Sequence, residues 1–99
     1  MIYEIAEIDV TPGSEAEFEA AVAQASEHFR GAQGCRSLKL ERGIEHPARY
    51  RLVVGWDSVE DHMETFRSSE GFQHWRRLAS PFFAGAPRVE HVSCVLDAF

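Results

Sequence analysis

Two of the five histidines in this chain, His62 and His91, stand where an imidazole could serve as a base. His62 belongs to Trp56–Phe83, WDSVEDHMETFRSSEGFQHWRRLASPFF, which also holds two Trp, four Phe and His74. Aromatic side chains bury about 150–250 Å² each, so this segment must line a core, a pocket or both. A neutral imidazole with a pKa near physiological pH is a natural proton acceptor. His62 precedes the apolar Met63, at the expected mouth of such a pocket. His91 sits in a strand-like run between Val89 and Ser93, and alternation alone leaves both the pocket and an outer face open to it. Trp56, Phe66, Phe72 and Trp75 are the candidate substrate-binding walls. Together with Phe82 and Phe83 they look too bulky to close up beneath two short helices, so a hollow is expected there. The competing reading is ordinary: a helical aromatic stripe is usually core, and a buried histidine is usually a satisfied one.

Other reactive types carry less. His28, His46 and His74 fall at exposed helix or turn positions and receive no role. Arg51 alternates onto the side of Val53, where it can pair with Glu7 or Asp9, while Arg67 and Arg76 fit solvated helix faces or an acidic substrate. Cys35 and Cys94 lie in strand-like runs and read as small buried hydrophobes. There is no Gly-rich phosphate loop, nucleophile elbow or dinucleotide fingerprint, and no His/Cys spacing of a zinc site. No metal or cofactor is expected.

The elements that must position these residues are legible. Ile2–Val10 alternates, with Ile2, Ala6, Ile8 and Val10 on one face and Tyr3, Ile5, Glu7 and Asp9 on the other. Thr11-Pro12-Gly13 breaks the strand. Ser14 and Glu17 have the spacing of a capping box, and Phe18, Val22, Ala25 and Phe29 recur at helical spacing until Gly31 and Gly34. Cys35–Gly43 and Tyr50–Trp56 form two strands joined by the turn around Glu45–Ala48, a hairpin. Ser58 with Asp61 resembles a second N-cap, predicting a helix that turns Val59, Met63 and Phe66 inward with His62 beside them. After Ser68-Ser69 and Gly71, a short helix points Phe72, Trp75 and Leu78 inward and stops at Pro81. The last strand is predicted over Arg88–Leu96.

The order β-α-β-β-α-β is a split βαβ, ferredoxin-like α+β arrangement, one domain over residues 1–99 with a four-stranded antiparallel sheet and helices on one face. Two helices cover only one face of such a sheet. The other face mixes Tyr3, Ile5 and Val53 with charges, so a homodimer through the sheet faces is expected.

Composition bounds the partners. The formal charge is −6 and no basic run exceeds Arg76-Arg77, which opposes binding to phosphate backbones or to an anionic membrane. No apolar run approaches the ~20 residues of a spanning helix. The chain opens on a strand pattern without the layout of a signal peptide, and reads as cytoplasmic.

Taken together, the Pro-Gly turn after the first strand, GCRSLKLERGIEHPARYRLVVGW, the strand-ending Trp56 with its W-x-S start, and FRSSEGFQHW resemble the antibiotic biosynthesis monooxygenase (ABM) family of the dimeric α+β barrel superfamily. The resemblance runs nearly end to end. It implies a pocket between sheet and helices, and a family that includes cofactor-free oxygenases, haem degraders and quinol oxidases. Haem-degrading members use a Trp at the end of this strand, matched by Trp56, and an iron-ligating His ten positions later, where this chain has Phe66. Their pocket Asn falls near Ala6 or Glu7, and neither matches, so haem degradation is disfavoured. The resemblance implies instead a cofactor-independent monooxygenase-like protein. Its substrate would be a small phenol- or quinol-type aromatic, with His62 or His91 as base. The alternative is a non-catalytic dimeric small-molecule-binding or stress-related module.

Overall fold

Alternating apolar and polar residues build β1 (Ile2–Asp9), whose even-numbered side chains turn inward. The computed structural model describes all residues, Met1–Phe99. Gly13, with φ +96°, supplies the left-handed turn that leads into α1 (Glu15–Arg30). The capping box does not form. Ser14 occupies the N-cap without a side-chain bond, and the Glu15 carboxylate instead accepts the Gly13 N–H at 2.9 Å. Phe18, Val22, Ala25 and Phe29 are all buried, as their spacing predicts.

The hairpin follows as β2 (Cys35–Arg42) and β3 (Arg49–Trp56), closed by a 2.7 Å bond from the Gly43 N–H to the Arg49 carbonyl. Ser58 Oγ then accepts the Asp61 N–H at 3.2 Å and starts the next turn. That turn, Asp61–Phe66, is π-helical, with the Arg67 N–H reaching the His62 carbonyl five residues back. The wider winding changes which side chains face the sheet. His62 and Phe66 are buried, whereas Val59 and Met63, expected inside, are 37% and 38% exposed. Turns of this type occur mostly as single insertions and often at functional sites.

Ser69 caps α2 (Glu70–Ala79) by accepting the Phe72 N–H at 3.2 Å. Trp75 and Ala79 are its buried residues, while Phe72 and Leu78 are half-buried. A 3₁₀ turn at Ser80–Phe82 leads towards β4 (Arg88–Val92). The sheet order is β2-β3-β1-β4, every pair antiparallel. This is the ferredoxin-like α+β fold read from the sequence.

The last strand is shorter than Arg88–Leu96. Val92 pairs with Tyr3, so β1 ends almost at once and residues beyond Val92 have no partner to bond. Cys94 is therefore exposed rather than buried in a strand, while Cys35 is half-buried as a β2 residue. Val95, Leu96 and Phe99 are exposed as well.

The face away from the helices is divided. Tyr3, Ile5, Val53 and Val92 are neighbours in the strand register at one end. At the other end Arg49 and Arg88 each bridge both Glu7 and Asp9, at 2.6–3.3 Å. Arg51, predicted to make that pair, lies opposite Glu7 in the register but forms no ion pair; Arg49 and the edge-strand Arg88 occupy the acids first.

Candidate functional site

Three ionisable side chains from three elements meet on the helix-covered face. Glu4 and His91 are register partners across β1 and β4, which resolves the face of His91: it points to the helix side. The π-helical turn brings His62 between them. Its Nδ1 lies 2.8 Å from His91 Nε2, and its Nε2 lies 3.3 Å from Glu4 Oε1. The Trp56 indole N–H donates to the same Glu4 oxygen at 3.1 Å. The indole ring also stacks on the His62 imidazole, 5.3 Å between centroids and 21° between planes. Glu4 is 5% exposed and His62 2%, while His91 is half-exposed, so the row runs from the core outward.

Burial dominates the electrostatics. Desolvation raises the Glu4 carboxyl to about 7, against the opposing pull of the Trp56 hydrogen bond and the Arg67 charge. Desolvation likewise lowers His62 to about 4, aided by repulsion from His91 and Arg67. The close Glu4–His62 contact is accordingly not an ion pair. A single proton on the two groups resides on the carboxyl, and the imidazole stays neutral.

The same geometry disfavours a metal or haem ligand set. His62 spends one nitrogen on each neighbour, so the donors lie in series instead of surrounding a point, and no cluster of His, Cys, Asp or Glu has a metal-holding arrangement. Phe66, at the iron-ligand position implied by the family resemblance, is 3% exposed and packed on carbon. Its ring contacts Trp56, Phe29 and Phe72, with centroids 5.3, 4.7 and 5.7 Å away.

The expected hollow is closed in the single subunit. Trp56, Phe66 and Trp75 are 0%, 3% and 8% exposed, and none lines any of the five main surface recesses. Offset and edge-on packing, with Phe29 inserted between Phe66 and Trp75, fills the space that ring bulk alone was predicted to leave. Phe72 differs. It borders an open recess of about 430 Å³ with Arg67, Gln73, Arg76, Arg77 and Ser80, and two guanidinium groups lie 5.9 Å from its ring centroid. Elsewhere His28 and His74, given no role, stack on each other at 4.7 Å between α1 and α2.

Glu4 is the residue that sequence reasoning missed. Its signal was present: an acidic residue at an even position of a strand whose other even positions are apolar must be buried, and a buried carboxyl needs partners.

A ferredoxin-like α+β domain with a buried acid–imidazole row backed by indole is the class that fold and site define. A family model for antibiotic biosynthesis monooxygenases matches residues 1–78. The chain is 37% identical over 91 residues to the uncharacterized protein YczJ of Bacillus subtilis (strain 168), covering 92% of this chain and 96% of that one. Its fold superposes with a TM-score of 0.95 on a candidate antibiotic biosynthesis monooxygenase from Bordetella bronchiseptica, 53% identical, covering 96% of this chain and 97% of that one. A Caulobacter crescentus CB15 protein with the same candidate assignment is 23% identical at a TM-score of 0.82, covering 96% and 90%, a likeness of fold alone. This chain belongs to the antibiotic biosynthesis monooxygenase family. No helix is long and apolar enough to cross a membrane.

Proposed function

We propose that the protein is a cofactor-independent monooxygenase acting on a small phenol- or quinol-type aromatic, with His91 as the base that meets substrate and His62 behind it. The observation that carries this reading is the 2.8 Å contact between His62 Nδ1 and His91 Nε2, at the boundary between an aromatic core and the half-exposed edge of the sheet. Geometry comes first for a general base, and pKa second. Removing a proton from an electron-rich ring gives an anion that dioxygen can oxidise directly. For an anthrone-type CH₂ group the balance closes without another reductant. The carbon loses two protons and four electrons, one oxygen atom becomes its carbonyl, and the other leaves as water.

In this reading Trp56, Phe66 and Trp75 hold the bases in place from behind. Phe72 is the ring of the four that a bound aromatic reaches, with Arg67 and Arg76 beside it. A second copy packs on the apolar half of the outer sheet face, around Tyr3, Ile5, Val53 and Val92.

The test is oxygen uptake with a panel of anthrones and hydroquinones. Turnover that falls by about 10²-fold or more in His91→Ala, the range of general-base contributions, supports the assignment; full activity in both His91→Ala and His62→Ala removes it. The closed packing around Trp56 favours one rival, a non-catalytic dimeric binding module. Saturable binding of the same compounds with no oxygen consumption would select that rival.

A further inference from the structure

We infer that Glu4 is a positioning residue and the proton store of a relay that enters at His91 Nδ1 and passes through His62; this rests on the reading of His91 as the base. With Glu4 ionised, the contacts permit one ordering. Glu4 Oε1 receives the Trp56 N–H, so an ionised Glu4 is an acceptor, and His62 Nε2 at 3.3 Å carries the hydrogen that faces it. His62 Nδ1 then holds a lone pair, which accepts the hydrogen on His91 Nε2 across 2.8 Å. That leaves His91 Nδ1 as the outer lone pair of the row.

A proton arriving at His91 Nδ1 releases the one on Nε2 to His62 Nδ1. His62 in turn releases its Nε2 proton to Glu4. One proton enters, Glu4 becomes a neutral acid, both imidazoles exchange tautomers, and neither becomes a cation. No electrons move. Both end states leave every buried polar atom with a partner, and none is orphaned in the structure.

The surroundings select this route over a stored imidazolium. Glu4 faces Trp56 of β3 and His62 of the π-helical turn, with Arg67 just beyond that turn and Cys35 of β2 within its field. His62 faces His91 of β4 and feels the Arg67 charge. A cation at His62 would be buried beside two basic groups and would leave the neighbouring Glu4 charge buried as well, whereas a proton on Glu4 leaves no buried charge on either group. Burial places that carboxyl at about 7, where it can both take and return a proton near neutrality.

The experiment needs no substrate. The full-length protein, wild type and with Glu4→Gln or Glu4→Asp, is labelled with ¹⁵N-histidine and titrated by NMR, with infrared difference spectra following the carboxylic C=O stretch. In the wild type, proton uptake near pH 7 shows as growth of the acid C=O band with a coupled tautomer exchange at His62 and His91 and no imidazolium signal from His62. Glu4→Gln keeps an acceptor for the Trp56 N–H but abolishes the band and the exchange; Glu4→Asp restores both in part. An ionised Glu4 throughout, or an unchanged tautomer exchange in Glu4→Gln, overturns the relay. Where turnover is measurable, Glu4→Gln lowers kcat by about 10²-fold and removes the limb near pH 7 with little change in KM. Tautomer exchange without turnover of any compound would leave the relay standing and refute the oxygenase reading.

Discussion

Glu4 and His91 face each other across neighbouring strands yet communicate through a third residue, His62, which approaches one at 3.3 Å and the other at 2.8 Å. A strand pair sets the spacing of the outer members, and a π-helical turn drops the middle one between them. Stability, pH response and assembly should all register this arrangement.

Glu4 and His62 should give stability opposite slopes with pH. The folded-state pKa of Glu4 is raised from 4.5 to about 7, so its contribution is complete below 4.5 and is lost as pH rises through 7. His62 is lowered from 6.5 to about 4, so its contribution is present above 6.5 and is lost as pH falls through 4. Between these limits the two nearly cancel. Urea titrations should show Glu4→Gln gaining on wild type by about 3 kcal/mol between pH 4 and pH 8, and His62→Gln, left with the Glu4 slope alone, should gain stability as pH falls from 7 towards 4.5, where wild type stays nearly level. Parallel curves for Glu4→Gln and wild type would mean that Glu4 titrates normally.

Trp56→Phe keeps a ring in the core but removes the N–H that Glu4 accepts at 3.1 Å. The loss should be about 1–3 kcal/mol, larger at pH 8 than at pH 5 because the ionised carboxylate depends on that donor most. Chemical denaturation at the two pH values checks both size and trend.

Gly34 has φ +76°, and a methyl group there would collide with the Asp61 carboxylate. Gly34→Ala should therefore destabilise by more than about 1 kcal/mol. It should also displace Asp61, which accepts from Gln33 at 3.1 Å and opens the π-helical turn. A shifted His62 NMR signal in this variant, with β1 unperturbed, would report the displacement.

Charge on the apolar half of the outer face should separate subunits. Ile5→Lys with Val53→Lys places two cations at register partners, where a packed sheet face cannot hydrate them. Light scattering should move from a dimer mass to the 11.2 kDa of one chain. A wild type already at that mass would end the dimer proposal.

Much of this was legible in the sequence, and the exceptions have physical causes. The alternation of Ile2–Val10 and the spacing of Phe18, Val22, Ala25 and Phe29 report burial directly, so the inward faces of β1 and α1 followed. Met63 and His62 were exchanged because apolarity argued for methionine inside, whereas the winding of a single turn decides the matter and leaves no periodic trace. The end of β4 is set by where β1 stops, a property of the partner strand. The row of Glu4, His62 and His91 joins residues far apart in sequence: the two imidazoles were named singly as candidate bases, while their contact had no sequence signal and Glu4 had only its odd place among apolar neighbours.

β4 is five residues long, lies at the sheet's rim and is held by β1 alone. The outermost imidazole thus rides on the least anchored strand of the molecule, and a chain that frays at this margin disconnects its own entry point before the core loosens. Whether His91, the proposed base, is in place at any instant becomes a local equilibrium, one that a neighbour bracing the rim would tip towards the closed row.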